Sequence, residues 1–150
     1  MQLALDQWGK VQATWLYLLP IFSSKYVVAQ MPEEGRLYSN VDQTYKRYMQ
    51  LLAKESVVIK IAPQSGLLES MQLANEMLEK ITVGVNNYLE KKRIYFPRFF
   101  FLSNDEMLEI LSETTDPLKV QPHLNKCFEG INKLEFDEQL DALAMISVEK

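Results

Sequence analysis

His123 and Cys127 are the two side chains of this 150-residue chain best suited by type and spacing to do chemistry. Four residues apart, they can face the same way on a helix. An imidazole and a thiol so placed are half of a zinc site, or a nucleophile with its base. Two ligands do not make a zinc site, and no second pair at metal-ligand spacing exists. A nucleophile–base pair also needs a third, orienting group and a cleft, and neither is legible here. A buried small thiol beside a surface imidazole is the reading that remains.

A second constellation joins Lys91-Lys92-Arg93 to Tyr95, Phe96, Arg98 and Phe99. Cations interleaved with aromatics can imitate a nucleic-acid stacking platform, which needs exposed rings on a sheet and an electropositive field. Here the cations fall in the last turns of a helix, where they suit its negative end. The aromatics are too dense to leave in water. The segment therefore reads as structural, with Arg98 holding the rings together, since an arginine among phenylalanines must pair or stack. Gly9, Gly35, Gly66, Gly84 and Gly130 are isolated, and no GxxxxGK[ST] phosphate loop occurs. Asp105-Glu106 and Glu33-Glu34 read as acids at helix starts. No residue stands out as catalytic, cofactor-binding or metal-ligating.

The elements that position these groups are arranged around Lys91–Leu111. Pro97 lacks a backbone donor and biases Phe96 away from helical angles, so a helix arriving from the N-terminal side must stop near Tyr95 or Phe96. Phe99–Leu102 reads as a short, buried, extended segment. Ser103 and Glu106 form a capping box that opens a short helix over Asp105–Leu111. Tyr95, Phe96, Pro97, Arg98, Phe99, Phe100, Phe101, Ser103, Asp105 and Glu106 thus make a structural signature, a knot where three elements meet, with core anchors among Phe96, Phe99 and Phe100.

Upstream, Trp8, Val11, Trp15, Leu18, Leu19 and Phe22 recur at helical steps, with Pro20 expected to end or kink that helix. Tyr26–Met31 is a turn or a scrap of helix, and Pro32 suits the first position of the next. Leu37, Val41, Tyr45, Tyr48, Met49 and Leu52 mark its buried side. Ser56–Ala62 is ambiguous between strand and helical turn and reads as a connection, closed by Pro63 and Gly66. From Leu67, the seam Met71, Ala74, Leu78, Ile81, Val85, Tyr88 and Lys92 predicts a helix of about 30 residues, roughly 45 Å long. Gly84 within it marks a close approach by a neighbour. Downstream, Asp116-Pro117 caps and opens a helix whose apolar side is Val120, Leu124, Cys127 and Phe128, stopped by Gly130. Leu140–Val148 alternates weakly and reads as a strand without an obvious partner, a liability that points to a piece of something longer.

The fold class expected is mainly α: an elongated helical bundle with one long helix and at most one or two short strands. A composition of 47% apolar and 24% charged residues is that of a folded soluble protein. A net charge of -4 argues against nucleic acid or an anionic membrane as main partner. One cysteine excludes an internal disulfide and fits a reducing compartment. The chain lacks an apolar run long enough to span a bilayer, and its N-terminus lacks a signal pattern. A soluble, intracellular protein is expected.

The block YLEKKRIYFPRFFFLSNDEMLEIL resembles the signature of the linker region of dynein heavy chains. LDQWGKVQATWLYLLPIFSS, MPEEGRLYSNVD and DPLKVQPHLNKCFEGINKLEF agree with it in order, so the resemblance runs from about Leu5 to Ser147. KKRIYFPRFFFLSNDE is more similar to axonemal than to cytoplasmic forms. Leu19 departs from the pattern, where an acidic residue often precedes Pro20; a contact made by that acid would be missing. The resemblance implies one helical segment over residues 1–150, the tail-side, N-terminal part of the linker. That linker is an arm lying across a ring of AAA+ modules, bending and straightening with the nucleotide cycle to give the power stroke. It implies no activity or cofactor for the segment itself, although the parent would be an ATP-driven microtubule motor. The implied partners are the AAA+ ring and tail of the same heavy chain and, through the parent, other dynein chains, with no nucleic acid or membrane. The location implied is cytoplasm and cytoskeleton, in the axoneme of a cilium or flagellum. The alternative, from the residues alone, is a stand-alone helical adaptor that binds a protein partner through an apolar groove.

Overall fold

The computed structural model describes residues 2–54, 66–112 and 116–149. They are mainly α-helical, with one long helix and two short strands, the class the sequence predicts. The chain divides into two compact units, Met1–Val85 and Asn86–Lys150. The Ser56–Ala62 connection lies outside the described residues.

The first unit holds α1 (Gln2–Ser23), α2 (Lys25–Gln30), α3 (Pro32–Lys54) and most of α4 (Leu67–Tyr95). Trp8, Val11 and Leu18 of α1 are buried as their spacing predicts. The helix does not end at Pro20 but runs on to Ser23. Pro20 lies on the exposed side with Leu16, so the Leu16 carbonyl it cannot satisfy faces water. The Ser23 hydroxyl donates to the Leu19 carbonyl in the last turn (2.6 Å).

α3 starts at Pro32 as expected and buries Tyr38, Val41, Tyr45 and Tyr48 at three- and four-residue steps. Met49, expected inside, is exposed, because Tyr48 beside it takes the inward position. Tyr38 is an inward residue that the apolar spacing did not single out. Its hydroxyl donates to the Trp15 carbonyl (3.3 Å), and burial, then Asp42, pushes its pKa far above the ordinary phenol value. Rings mesh between α1 and α3: Trp15 against Tyr45 at 4.8 Å, Phe22 stacked on Tyr38 at 4.9 Å, Trp8 edge-on to Tyr45 at 6.1 Å. Each such pair contributes about 0.5–1.5 kcal/mol beyond area burial. The Trp15 indole N–H donates to Asp42 (3.0 Å), which also pairs with Lys46.

α4 carries the seam predicted for it as far as Val85; beyond that Leu89 takes the buried position, and Tyr88 and Lys92, expected there, are only half-buried. Leu67, Met71, Ala74, Leu78, Ile81, Val85 and Leu89 are all buried, and the helix runs 29 residues. Tyr48 and Ser70 hydroxyls share a 2.8 Å hydrogen bond between α3 and α4, and the Asn75 amide donates to Gln7 of α1. Gly84 admits the close neighbour its position implies: a Cβ there would come within 2.7 Å of the Glu34 Cγ.

The second unit contains the end of α4, a 3-10 helix over Pro97–Phe101, α5 (Asn104–Ser112), a 3-10 helix over Pro117–His123, α6 (Leu124–Cys127), β1 (Ile131–Phe136) and β2 (Ala142–Ser147). Asp116 caps as predicted, accepting from the Leu118 N–H at 2.9 Å. The helix it opens is not one α-helix. Pro122 inside it has no N–H for an i−4 bond, so the first part winds as 3-10 and α begins at Leu124.

The strand at the C-terminal end is not unpaired. β2 pairs antiparallel with β1, which does not stand out in the sequence because INKLEF has two charged residues and looks too polar. Asp137 shapes the turn, its carboxylate accepting from the Gln139 and Asp141 N–H groups (2.8 and 2.9 Å). Leu140 sits there at φ 65, a left-handed conformation that strains a side chain with a Cβ.

Candidate functional site

The signature segment Tyr95–Glu106 belongs to the second unit. Tyr95 ends α4, and Phe96 is extended as Pro97 requires. Beyond it the chain winds into a 3-10 turn rather than the extended segment expected, with Phe99 N–H bonded to Phe96 O (2.9 Å) and Leu102 N–H to Phe99 O (3.1 Å). Its period is three residues per turn. Phe96, Phe99 and Leu102 therefore share one side, and Phe96 meets Phe99 edge-on at 4.8 Å. Phe100 and Phe101 point elsewhere.

That period undoes the buried knot. Leu102 is buried and Phe99 half-buried, whereas Tyr95, Phe100 and Phe101 are 91%, 57% and 69% exposed, and Phe96 is 40% exposed. Three consecutive phenylalanines on a threefold screw cannot all face inward. Phe96 and Phe100 are thus not core anchors in this chain; the anchor is Leu102, with Phe99 at its margin.

The polar residues do the work expected of them, and some not foreseen. Ser103 and Glu106 form the reciprocal capping box: Glu106 accepts from the Ser103 N–H (2.9 Å), and the Ser103 hydroxyl accepts from the Glu106 N–H (3.3 Å). Asp105 sits exposed in the same first turn, at the positive end of α5. The Arg98 guanidinium stacks over Phe128 at 4.6 Å and donates to the Cys127 carbonyl at 2.8 Å, so it does pair and stack. Arg93 donates to the Leu102 carbonyl (3.1 Å) and to Asn104 (2.7 Å), and Asn104 donates to Asn86 on α4 (3.2 Å). Lys92 lies over the Tyr88 ring at 5.2 Å. Of the basic cluster, Lys92 and Arg93 are engaged within the unit.

His123 is not at the surface, as supposed, but buried, because it lies where the 3-10 helix passes into α6 and packs toward α5. Its Nε2 is 3.3 Å from Glu109 Oε2, without the alignment of a hydrogen bond, and its Nδ1 is 3.9 Å from Glu106 Oε1. Lys126 binds Glu106 directly. The lysine hydrogen bond, followed by the Ser103 N–H, holds the Glu106 carboxyl down at about 2. Glu109 and Lys126 were not singled out in the sequence. Each belongs to an i, i+3 pair, Glu106/Glu109 on α5 and His123/Lys126 near α6, but only the fold brings the two pairs together.

Cys127 is buried as predicted. Burial raises its thiol pKa, only partly offset by Arg98. A raised pKa leaves it a poor nucleophile. Among the described residues, no group of three His, Cys, Asp or Glu is placed to hold a metal ion, and no helix is long and apolar enough to cross a membrane. In the first unit, α1 and α4 bound an open groove of ≈ 1210 Å³ whose walls include Gln7, Lys10, Thr14, Asn75, Glu79 and Val83. Ala13, Tyr17, Leu78 and Val83 make a large part of these walls apolar.

The family described as "Dynein heavy chain, N-terminal region 2" matches residues 1–150. Human dynein axonemal heavy chain 12 is 60% identical over 149 residues, covering 99% of this chain and 5% of that protein. Human dynein axonemal heavy chain 3 is 60% identical over 146 residues, 97% of this chain and 4% of its own length. Rat dynein axonemal heavy chain 1 is 44% identical over 148 residues, 99% of this chain and 3% of its own. The chain therefore spans at most about one-twentieth of the length of these relatives.

Proposed function

The chain belongs to the dynein heavy chain family, matching the N-terminal region of axonemal forms, and from that premise we propose that it is a non-catalytic mechanical segment of the motor's linker. In this reading residues 1–150 form part of the arm that carries displacement from the AAA+ ring to the tail while the ring turns over ATP. Its partners are the ring and tail of its own heavy chain and, through them, other dynein chains. Its place is the axoneme of a cilium or flagellum, as the names of its relatives indicate for them, and the track is the microtubule.

The observation that carries this reading is α4. A 29-residue helix with seven buried seam residues and no internal proline is a stiff object, and close-packed side chains transmit displacement with little loss. It is braced against α1 and α3 through Asn75, Ser70 and the Gly84–Glu34 contact. The sequence has no phosphate-cradling loop. A segment that couples without building the nucleotide site should be separable from nucleotide binding. Excising it from a parent heavy chain should leave ATP binding by the ring while filament gliding is lost or greatly slowed. Loss of ATP binding in a ring shown to be folded would contradict the proposal. Turnover is the weaker readout, because a docked arm biases ring states through its differential contacts.

A further inference from the structure

His123 is the chain's only histidine, and its side chain is 9% exposed. It ends the 3-10 helix Pro117–His123, which packs against α5 and continues into α6. Its Nε2 has no hydrogen-bond partner among the described residues. A buried polar atom left so costs free energy that a partner would restore.

Carboxylates face both ring nitrogens. Glu109 Oε2 lies 3.3 Å from Nε2, and Glu106 Oε1 lies 3.9 Å from Nδ1. A neutral imidazole has one N–H and one lone pair, so one of the two carboxylates always meets a lone pair. A protonated ring donates from both nitrogens. The other charged groups around it are engaged elsewhere or face water. Lys126, on α6, binds Glu106, whose carboxyl is held at about 2 by that bond and by the Ser103 N–H. Asp105, on α5, and Lys119, on the 3-10 helix itself, are exposed. β1, reached through the Gln121 amide, has Lys133 beside Glu135. The Cys127 thiol, four residues on, is kept protonated by burial. Glu109 has no lysine or arginine partner among the described residues, so its charge is the one left for the ring.

We propose that His123 is a proton-operated clasp between α5 and the segment that enters α6. With the proton on, both ring nitrogens donate toward α5 and the positive ring faces Glu109, so the two segments are held together. With it off, a lone pair meets a carboxylate and the hold slackens. The clasp therefore strengthens as the pH falls through the imidazole range and is lost as the pH rises through it. Its sign is opposite to that of Glu106, whose bonds weaken only as the pH falls from 4.5 toward 2. It is independent of the linker role, because every group in it lies within the second unit.

The test uses the whole chain. With a single histidine, the imidazole signals in long-range proton–nitrogen NMR spectra are unambiguous, and they report protonation directly. Glu109→Gln alters a side chain that is 58% exposed, so the fold is kept. In that variant the ring should bind its proton about threefold less tightly than in wild type, the size expected of a partly exposed ion pair. Amide exchange at Met107 and Leu108 of α5, corrected for its intrinsic pH dependence, is compared at about pH 5.5 and about pH 8, on either side of the ordinary imidazole value. It should be slower at the acid pH in wild type, and Glu109→Gln should lose most of that difference. Equal proton affinity in the two proteins, or an equal pH effect on exchange, overturns the pairing with Glu109. Exchange in wild type that is unchanged or faster at the acid pH overturns the clasp.

Discussion

At the residue scale, the side chain that matters most in the aromatic segment is not a ring. Leu102 is buried, so Leu102→Ala should cost about 2–5 kcal/mol. Phe100→Ser and Phe101→Ser should stay within about 0.5 kcal/mol of the parent, as exposed positions do. Chemical denaturation of the three variants checks this ordering; equal losses would mean that the phenylalanines pack together after all. Glu106 gives a pH prediction with a definite sign. Its folded pKa is depressed, from 4.5 to about 2. Its contribution to stability is therefore fully present above about pH 4.5 and is lost as the pH falls toward 2. Denaturation midpoints of wild type and Glu106→Gln should differ at pH 7 and converge near pH 2. The capping box was legible because its spacing is local and its chemistry unambiguous. The burial of His123 was not, because nothing within four residues of it reveals that α5 brings Glu109 alongside.

At the element scale, Gly84 and Glu34 should be coupled. Alanine at a helical glycine ordinarily stabilises by about 1 kcal/mol, but here the new methyl group meets the Glu34 side chain. Gly84→Ala should gain the full amount only in a Glu34→Ala background, and a double-mutant cycle should show a coupling of at least about 0.5 kcal/mol. Additive effects would mean that Glu34 does not lie against α4. Helices were the most legible part of this fold. α4 was readable because its apolar residues keep step over about six turns, and α3 because Pro32 marks its start. What failed were the places where helical period gave way. Pro97–Phe101 and Pro117–His123 wind at three residues per turn, which redirects each side chain by about 20° relative to an α-helix, from the ratio of their periods. β1 was hidden by its lysine and glutamate, which are harmless on a strand with one wet face. For the signature residues, type and local bonding could be read from the chain, whereas exposure depended on which way a 3-10 turn faced.

At the scale of the whole molecule, α4 is the stiff member of the proposed dynein linker segment. The most direct measurement softens that helix. In a parent heavy chain, Val85→Gly/Asn86→Gly sits mid-helix, where the lower propensity of two glycines costs about 1 kcal/mol before the packing lost at Val85. Filament gliding is then recorded against an opposing load, with ATP binding measured on the same preparation. ATP binding at wild-type affinity with velocity falling faster under load than in the parent is the result expected of a softened strut. Full velocity under load at unchanged ATP binding would show that force does not pass through α4, and would contradict the linker proposal.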